Sequence, residues 1–425
     1  SRSQMIINTA GWDTDCNAAN VGCILGIRNG LAAFTGEYDW RGPVADRMYL
    51  STADGGRGIT DALTESYRII KAGAVLRGES LAAPADGAKF HFTLPGSVQG
   101  FEVDPEGGQG SISNLTGGAL QIAPQGAAPV RIMTPTFIPP EAKAMPGYQM
   151  FASPLLYPGQ TVTATVVNEG SANATVSLVM RVYGASDQSN VVAGPSHVIT
   201  TGSGATTIAW TIPVTGGNPI HAIGLEVSGA AIALQRMHWS GAPTVHFHRP
   251  ADSPFVTWFD QPENGPSIMW RKAFVDAVDE YGHWWKEAFR ISQNAGRGVM
   301  AQGTSDWQDY RTTSTITPYL AKSFGIAARV QGLKRYYTLV LCDDGMARII
   351  KMDDSESVLA ETAFAWDVFV PYEFNLDVNG ESISGTVGDV TLTAHDPGTR
   401  IRSGSAGFMI EVGTLGAEQL SVSPL

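Results

Sequence analysis

The chain has 425 residues, 43% hydrophobic and 16% charged, with 48 glycines, 24 prolines and a formal net charge of −12. That length holds roughly two to four domains, and the hydrophobic share supports a core throughout. The acidic balance opposes phosphate-rich partners and excludes nucleic-acid binding. The three cysteines, Cys16, Cys23 and Cys342, cannot build a disulfide framework, and no run of about 18 apolar residues reads as a membrane span.

Near the start, Gly11-Trp12-Asp13-Thr14-Asp15-Cys16-Asn17 precedes a run that reads as a helix, Ala18 to Ala33. Positions i and i+2 diverge within a helix. Asp13 and Asp15 can therefore face one ion only by straddling the helix start, with Asp13 in the loop and Asp15 near the N-cap. Carboxylates suit that place as caps; they also suit it as oxygen ligands for Mg²⁺ or Ca²⁺. Ala18, Gly22, Gly26 and Gly30 form a stripe without bulk, flanked by Val21, Ile24, Leu25 and Leu31, so another helix can approach closely. Arg28 and Asn29 exclude a membrane reading of that pattern. A loop, Thr35 to Gly58, carries Asp39, Asp46 and Asp54, which either line a site or are solvated charges. Ile59 to Ala74 reads as a second amphipathic helix with Thr60 as its cap and Ile59, Leu63, Tyr67, Ile70 and Ala74 on one side.

The stretch Gly11 to Gly26 resembles the C-terminal metal motif of the ADP-ribosylglycohydrolase family, roughly Gly-Gly-Asp-Thr-Asp-Thr followed by a small-residue helix. The resemblance covers about the first 80 residues. It implies an all-helical domain holding one or two Mg²⁺ ions, with Asp13 and Asp15 as metal ligands and catalytic residues. Cys16 falls where the family has a ligating threonine, and Trp12 replaces the second glycine. A thiol is a poor ligand for a hard cation. The family's other metal ligands lie upstream, so the resemblance further implies that this chain is the C-terminal part of a longer protein, or that a separate chain supplies the missing helical half.

Between Glu79 and Gly87 the composition shifts to Ala, Pro and Gly, which places a domain boundary near residue 85. From Lys89 to His248 the pattern is β throughout. Gln160 to Val167 and Thr175 to Tyr183 alternate as strands around the turn Asn168-Glu169-Gly170-Ser171, and further strands fall near Thr206 to Ile212, Ile220 to Val227 and Ile232 to Trp239. This spacing predicts an antiparallel sandwich over 86–249; its strands resemble a carbohydrate-binding jelly-roll. His238, His246 and His248 cluster at its end without a third ligand at a characteristic spacing, which reads as a linker-edge group rather than a metal site.

A Pro-rich junction, Arg249 to Pro254, opens a third module over 250–425. Ala273 to Ala288 reads as a short helix or a decorated loop. The segments around Trp307-Gln308-Asp309-Tyr310, Gly325 to Val330, Tyr336-Tyr337 and the Asp344-Gly345 turn resemble concanavalin-like (laminin-G-like) sandwiches, in which Trp307 and Tyr310 would be buried fold markers.

The fold class expected is thus multidomain and mainly β: a short α-helical N-terminal segment over 1–85 and two antiparallel β-sandwiches with no shared sheet. Two functions stand beside it. The first is a metal-dependent glycohydrolase, hydrolysing a glycosidic bond with Asp13 and Asp15 holding Mg²⁺. The second is a carbohydrate-binding or structural protein without catalysis, in which Trp270, Tyr281, Trp284 and Trp285 stack on sugar rings. Either takes a glycan or glycoside as partner, with no nucleic acid and no membrane, and a secreted or periplasmic location is favoured over a cytoplasmic one.

Overall fold

The computed structural model describes residues 2–34, 38–50, 54–143, 150, 152–256, 267–282 and 285–425. These divide into two compact units, Ser1–Asp46 and Arg47–Leu425. The helical stretch expected over 1–85 is therefore split between the two. The second helix falls in the second unit: Gln99 donates to its cap Asp61 at 3.4 and 3.3 Å, and its Tyr67 meets His91 edge-on at 5.4 Å.

In the first unit, helices Arg2–Asn8 and Thr14–Asn29 bury no residue. The glycine stripe receives the shorter helix: Gln4 donates to the Ala18 carbonyl at 3.1 Å, and a Cβ on Gly22 would lie 2.7 Å from Gln4 Nε2. Trp12, Ile24 and Ile27 remain exposed.

The second unit opens with a two-stranded ribbon, Arg47–Tyr49 against Ile59–Asp61, and helix Ala62–Leu76. The helix begins later than its hydrophobic period predicts, and Asp61 rather than Thr60 caps it. Asp61 sits in extended backbone and accepts from Thr64 N at 2.9 Å and Thr64 Oγ1 at 2.7 Å.

Next come two five-stranded antiparallel sheets. One runs in the order Ala205–Thr211, Thr161–Asn168, Ile232–Ser240, Leu120–Pro124, Gly110–Ser113. The other runs Glu102–Val103, Val130–Pro135, Ile220–Gly229, Ala174–Tyr183, Ser189–Ile199. Alternate residues face inward along each strand, so Val162, Ala164, Val166, Ile223, Leu225, Leu234 and Trp239 meet in one core. On the outer face Thr161 pairs with Thr211 and Thr165 with Thr207.

The C-terminal sandwich is one 13-stranded antiparallel sheet curled around its own core. Strand Tyr310–Gly332 makes this possible. Its first part pairs with Tyr372–Asn379 and Gln419–Pro424, and its later part with Ser405–Ala417 and Arg335–Cys342. Phe289, Tyr310, Phe324, Tyr337, Phe374 and Phe408 fill the interior. Trp307 and Tyr310 are buried there; the Tyr310 hydroxyl donates to Gly404 O at 2.9 Å.

Two details differ from the sequence reading. Val245–His248, on the first-sandwich side of the expected boundary at 249, pairs with Gln419–Val422 and so joins the C-terminal sheet. Its residues alternate Val245 and Phe247 inward, and the core they reach is the C-terminal one. The described residues of 273–288, read as a short helix or a decorated loop, hold the short strands Val275–Ala277 and Glu280–Gly282, and the helical turn Met269–Lys272 precedes them. Among the described residues no strand is common to the first sandwich and the 13-stranded sheet. No helix among the described residues is long and apolar enough to cross a membrane.

Candidate functional site

Asp13, Asp15 and Cys16 come together at the start of helix Thr14–Asn29, with ligand atoms within 4.8 Å of one another and all three side chains exposed. Asp13 adopts the left-handed conformation, φ 48 and ψ 46, and its side chain makes no cap bond. The hydrogen bond to Asp13 and the charges of Asp13 and Asp15 push the Cys16 thiol up. A thiol is in any case a poor ligand for a hard cation. What remains is two carboxylates in water, whereas a hard divalent ion wants six or more oxygens. The donor set by itself does not fit a resident Mg²⁺ or Ca²⁺ ion, and no catalytic step follows from it. Calorimetric titration of the chain with Mg²⁺ is expected to show no saturable binding below about 1 mM; a stoichiometric, micromolar isotherm lost in Asp13→Asn would reverse that judgement.

The aromatic residues considered for sugar stacking separate sharply. Trp270 is only 4% exposed. It packs edge-on to Phe289, with the Arg249 and Arg271 guanidinium carbons 5.4 and 5.6 Å from its ring. Tyr281 stacks parallel to Phe289 at 6.1 Å and carries Arg271 at 3.8 Å; burial pushes its phenol up to about 12. Trp270 belongs to the core edge and is not available to a sugar, and Tyr281, partly buried, is engaged by Phe289 and Arg271. Trp284 lies outside the described residues. Trp285 is 46% exposed.

Trp285 stands on a prepared surface. Along Phe289–Gln302, Phe289 and Ile291 point into the core, so the intervening Arg290 points out. Across the sheet Arg290 lies in a row with Gly282, Gly416 and Thr317. The two glycines leave flat backbone on each side of it. A Cβ on Gly282 would lie 2.6 Å from Trp285 Cδ1, and one on Gly416 would lie 2.9 Å from Tyr319 Cε2. Trp285 and Tyr319 therefore settle onto the glycines with the Arg290 guanidinium between them, 4.5 Å from the Trp285 ring and 3.5 Å from the Tyr319 ring.

Glu287 fixes the layer. Its Oε1 accepts from Tyr319 Oη at 2.5 Å and from Arg290 Nη1 at 3.0 Å. Partial burial works to raise the Glu287 carboxyl, but the Tyr319 bond and the Arg290 charge outweigh it and hold the group below the usual range. Phe369 extends the surface. It meets Tyr319 edge-on at 5.6 Å, is 68% exposed, and is pinned by its N–H on Pro318 O at 2.8 Å. From beneath, Arg249 donates to the carbonyls of Trp285 and Glu287 at 3.2 and 3.3 Å, while Arg271 donates to Tyr281 O and Gly282 O.

The result is an aromatic platform, Trp285–Tyr319–Phe369, with a donor and an acceptor set into it. Sequence reasoning found Trp285 alone. The signal for the rest is weak: Arg290 between two core residues, and glycines at Gly282 and Gly416 within strands, where a close approach is one meaning of glycine.

No family model matches the chain, the ADP-ribosylglycohydrolase family included, and no curated protein matches it. Solved structures with similarity include a carbohydrate-binding module, CBM66, from Bacillus subtilis, at 17% identity over 35% of this chain and 91% of that one, with a TM-score of 0.30. The tandem CBM22-1–CBM22-2 domain of Paenibacillus barcinonensis Xyn10C is 8% identical over 79% of this chain and 96% of that one, at 0.26. The Caenorhabditis elegans galectin LEC-6 is 17% identical over 27% of this chain and 83% of that one, at 0.22. Scores this low do not decide the site.

Proposed function

We propose that this protein binds glycans through the outer face of its C-terminal sandwich and that the platform Trp285–Tyr319–Phe369 is the binding surface. The observation that carries the reading is the Trp285–Arg290–Tyr319 layer laid on glycine backbone. Partly exposed rings already anchored by Arg290 and by each other lose little freedom when a sugar's apolar face settles on them. Polar groups placed beside the rings supply orientation. Catalysis by Asp13 and Asp15 forms no part of this reading.

The test is retention of the full chain in affinity electrophoresis through gels carrying soluble polysaccharides, compared with Gly416→Val. The valine has no room beside Tyr319 and Glu287 and displaces both, so retention is expected to fall about tenfold, roughly the 1.4 kcal/mol of a lost contact. Unchanged retention by Gly416→Val would place the glycan elsewhere on the molecule.

A further inference from the structure

The same surface identifies the class of saccharide it accepts. We infer, on the basis of the glycan-binding reading above, that the ligand is a neutral sugar gripped by two adjacent hydroxyls, one accepting from Arg290 and its neighbour donating to Glu287.

The charges at the centre of the platform already cancel. Arg290 and Glu287 form an ion pair at 3.0 Å. Among the described residues Arg290 spends one N–H on that pair, and its planar fork has further donors. Glu287 engages Tyr319 and Arg290 through Oε1 and takes its own backbone N–H as well; a carboxylate offers about four lone-pair sites, so acceptor capacity remains. An open donor and an open acceptor therefore stand side by side, both partly exposed. A hydroxyl both donates and accepts, and two on neighbouring ring carbons match such a pair. An acidic sugar does not. Its carboxylate or sulfate only accepts, so it would use Arg290 and face the Glu287 carboxylate without a proton to offer.

The surroundings point the same way. Arg249 feels the charge of Glu418 and Arg271 that of Asp276, and both arginines are turned to backbone carbonyls. The chain as a whole carries −12, which disfavours approach of a polyanion. A neutral ligand meets no such opposition, and its binding is insensitive to salt, because no counterions are released and screening acts only on the preformed pair.

The experiment runs the full chain in affinity gels containing matched polysaccharides: dextran against dextran sulfate, and highly methyl-esterified pectin against its de-esterified form, at 50 and 500 mM NaCl. A xylan and a β-glucan widen the neutral arm, and each neutral glycan that retains the protein is also offered after periodate cleavage of its vicinal diols and borohydride reduction. The expected result is retention by at least one neutral glycan, less than twofold dependence on salt, at least tenfold weaker retention by the charged counterparts, and loss after periodate. Arg290→Gln and Glu287→Gln should each weaken the neutral interaction about tenfold with unchanged thermal midpoints. Preference for the sulfated or de-esterified form, or full retention by periodate-cleaved glycan, overturns this inference while leaving a glycan site in place. Retention by none of these glycans overturns the glycan-binding reading and this inference with it. The wild-type comparisons decide the matter even if either variant fails to fold.

Discussion

Replacing Arg329 with methionine is expected to lower the unfolding free energy of the C-terminal sandwich by about 3–5 kcal/mol. Arg329 is fully buried in the strand Tyr310–Gly332. Its Nε donates to Gln308 O at 3.1 Å, Nη1 to Gly380 O at 2.8 Å and Ile401 O at 3.3 Å, and Nη2 to the Asp309 carboxylate at 3.0 Å. One side chain thus ties three separate segments, and each carbonyl would lose a buried donor on truncation. Its backbone is committed as well: φ is 50, and its N–H donates to the Tyr310 hydroxyl at 2.6 Å. Lysine is not expected to rescue the loss, because a single ammonium cannot reproduce a planar fork reaching several acceptors. Urea unfolding of the full chain, followed on the transition of this sandwich, measures the change; a loss below about 1 kcal/mol would mean that water replaces the guanidinium without cost.

Arg329 also shows where sequence reasoning stops. The β character of both sandwiches is legible, because alternation such as Thr161–Asn168 reflects a local rule, inward and outward by turns. The Asp344-Gly345 hairpin is legible from its turn residues, and the burial of Trp307 and Tyr310 is what the resemblance to concanavalin-like sandwiches implies. A buried arginine in the run Ala327-Ala328-Arg329-Val330 is not, since its partners lie up to 72 residues away. The site follows the same division. Trp285 stands out by composition alone. Arg290, Tyr319 and Gly416 become a site only through the pairing of three strands, and register is a tertiary property. Trp270 and Tyr281 look equivalent to Trp285 in the sequence, yet the core behind Phe289 buries the first and partly buries the second. In the helical stretch, the spacing of Asp13 and Asp15 does predict their approach.

Replacing Trp285 with alanine is expected to weaken glycan binding by at least thirtyfold, about 2 kcal/mol, while leaving the fold intact. Trp285 supplies the largest ring of the platform and is 46% exposed, so its removal takes away a large share of the apolar area on which a sugar ring can rest. Its loss also frees Arg290. With one face no longer covered at 4.5 Å, the guanidinium keeps only Tyr319 and Glu287 to hold it, and its donors lose their fixed direction. Stability should change little, because Trp285 packs on Gly282 and Arg290 at the surface and stands apart from the Phe289–Phe408 interior. Phenylalanine at the same position should recover part of the binding, because it restores a flat ring without the indole's full area. Affinity electrophoresis on the best-retaining glycan, with thermal unfolding of the same preparations, separates the two effects. Binding within threefold of wild type for Trp285→Ala would remove this residue from the site. A fall in thermal midpoint of more than about 5 °C would show that the indole holds the fold rather than the sugar.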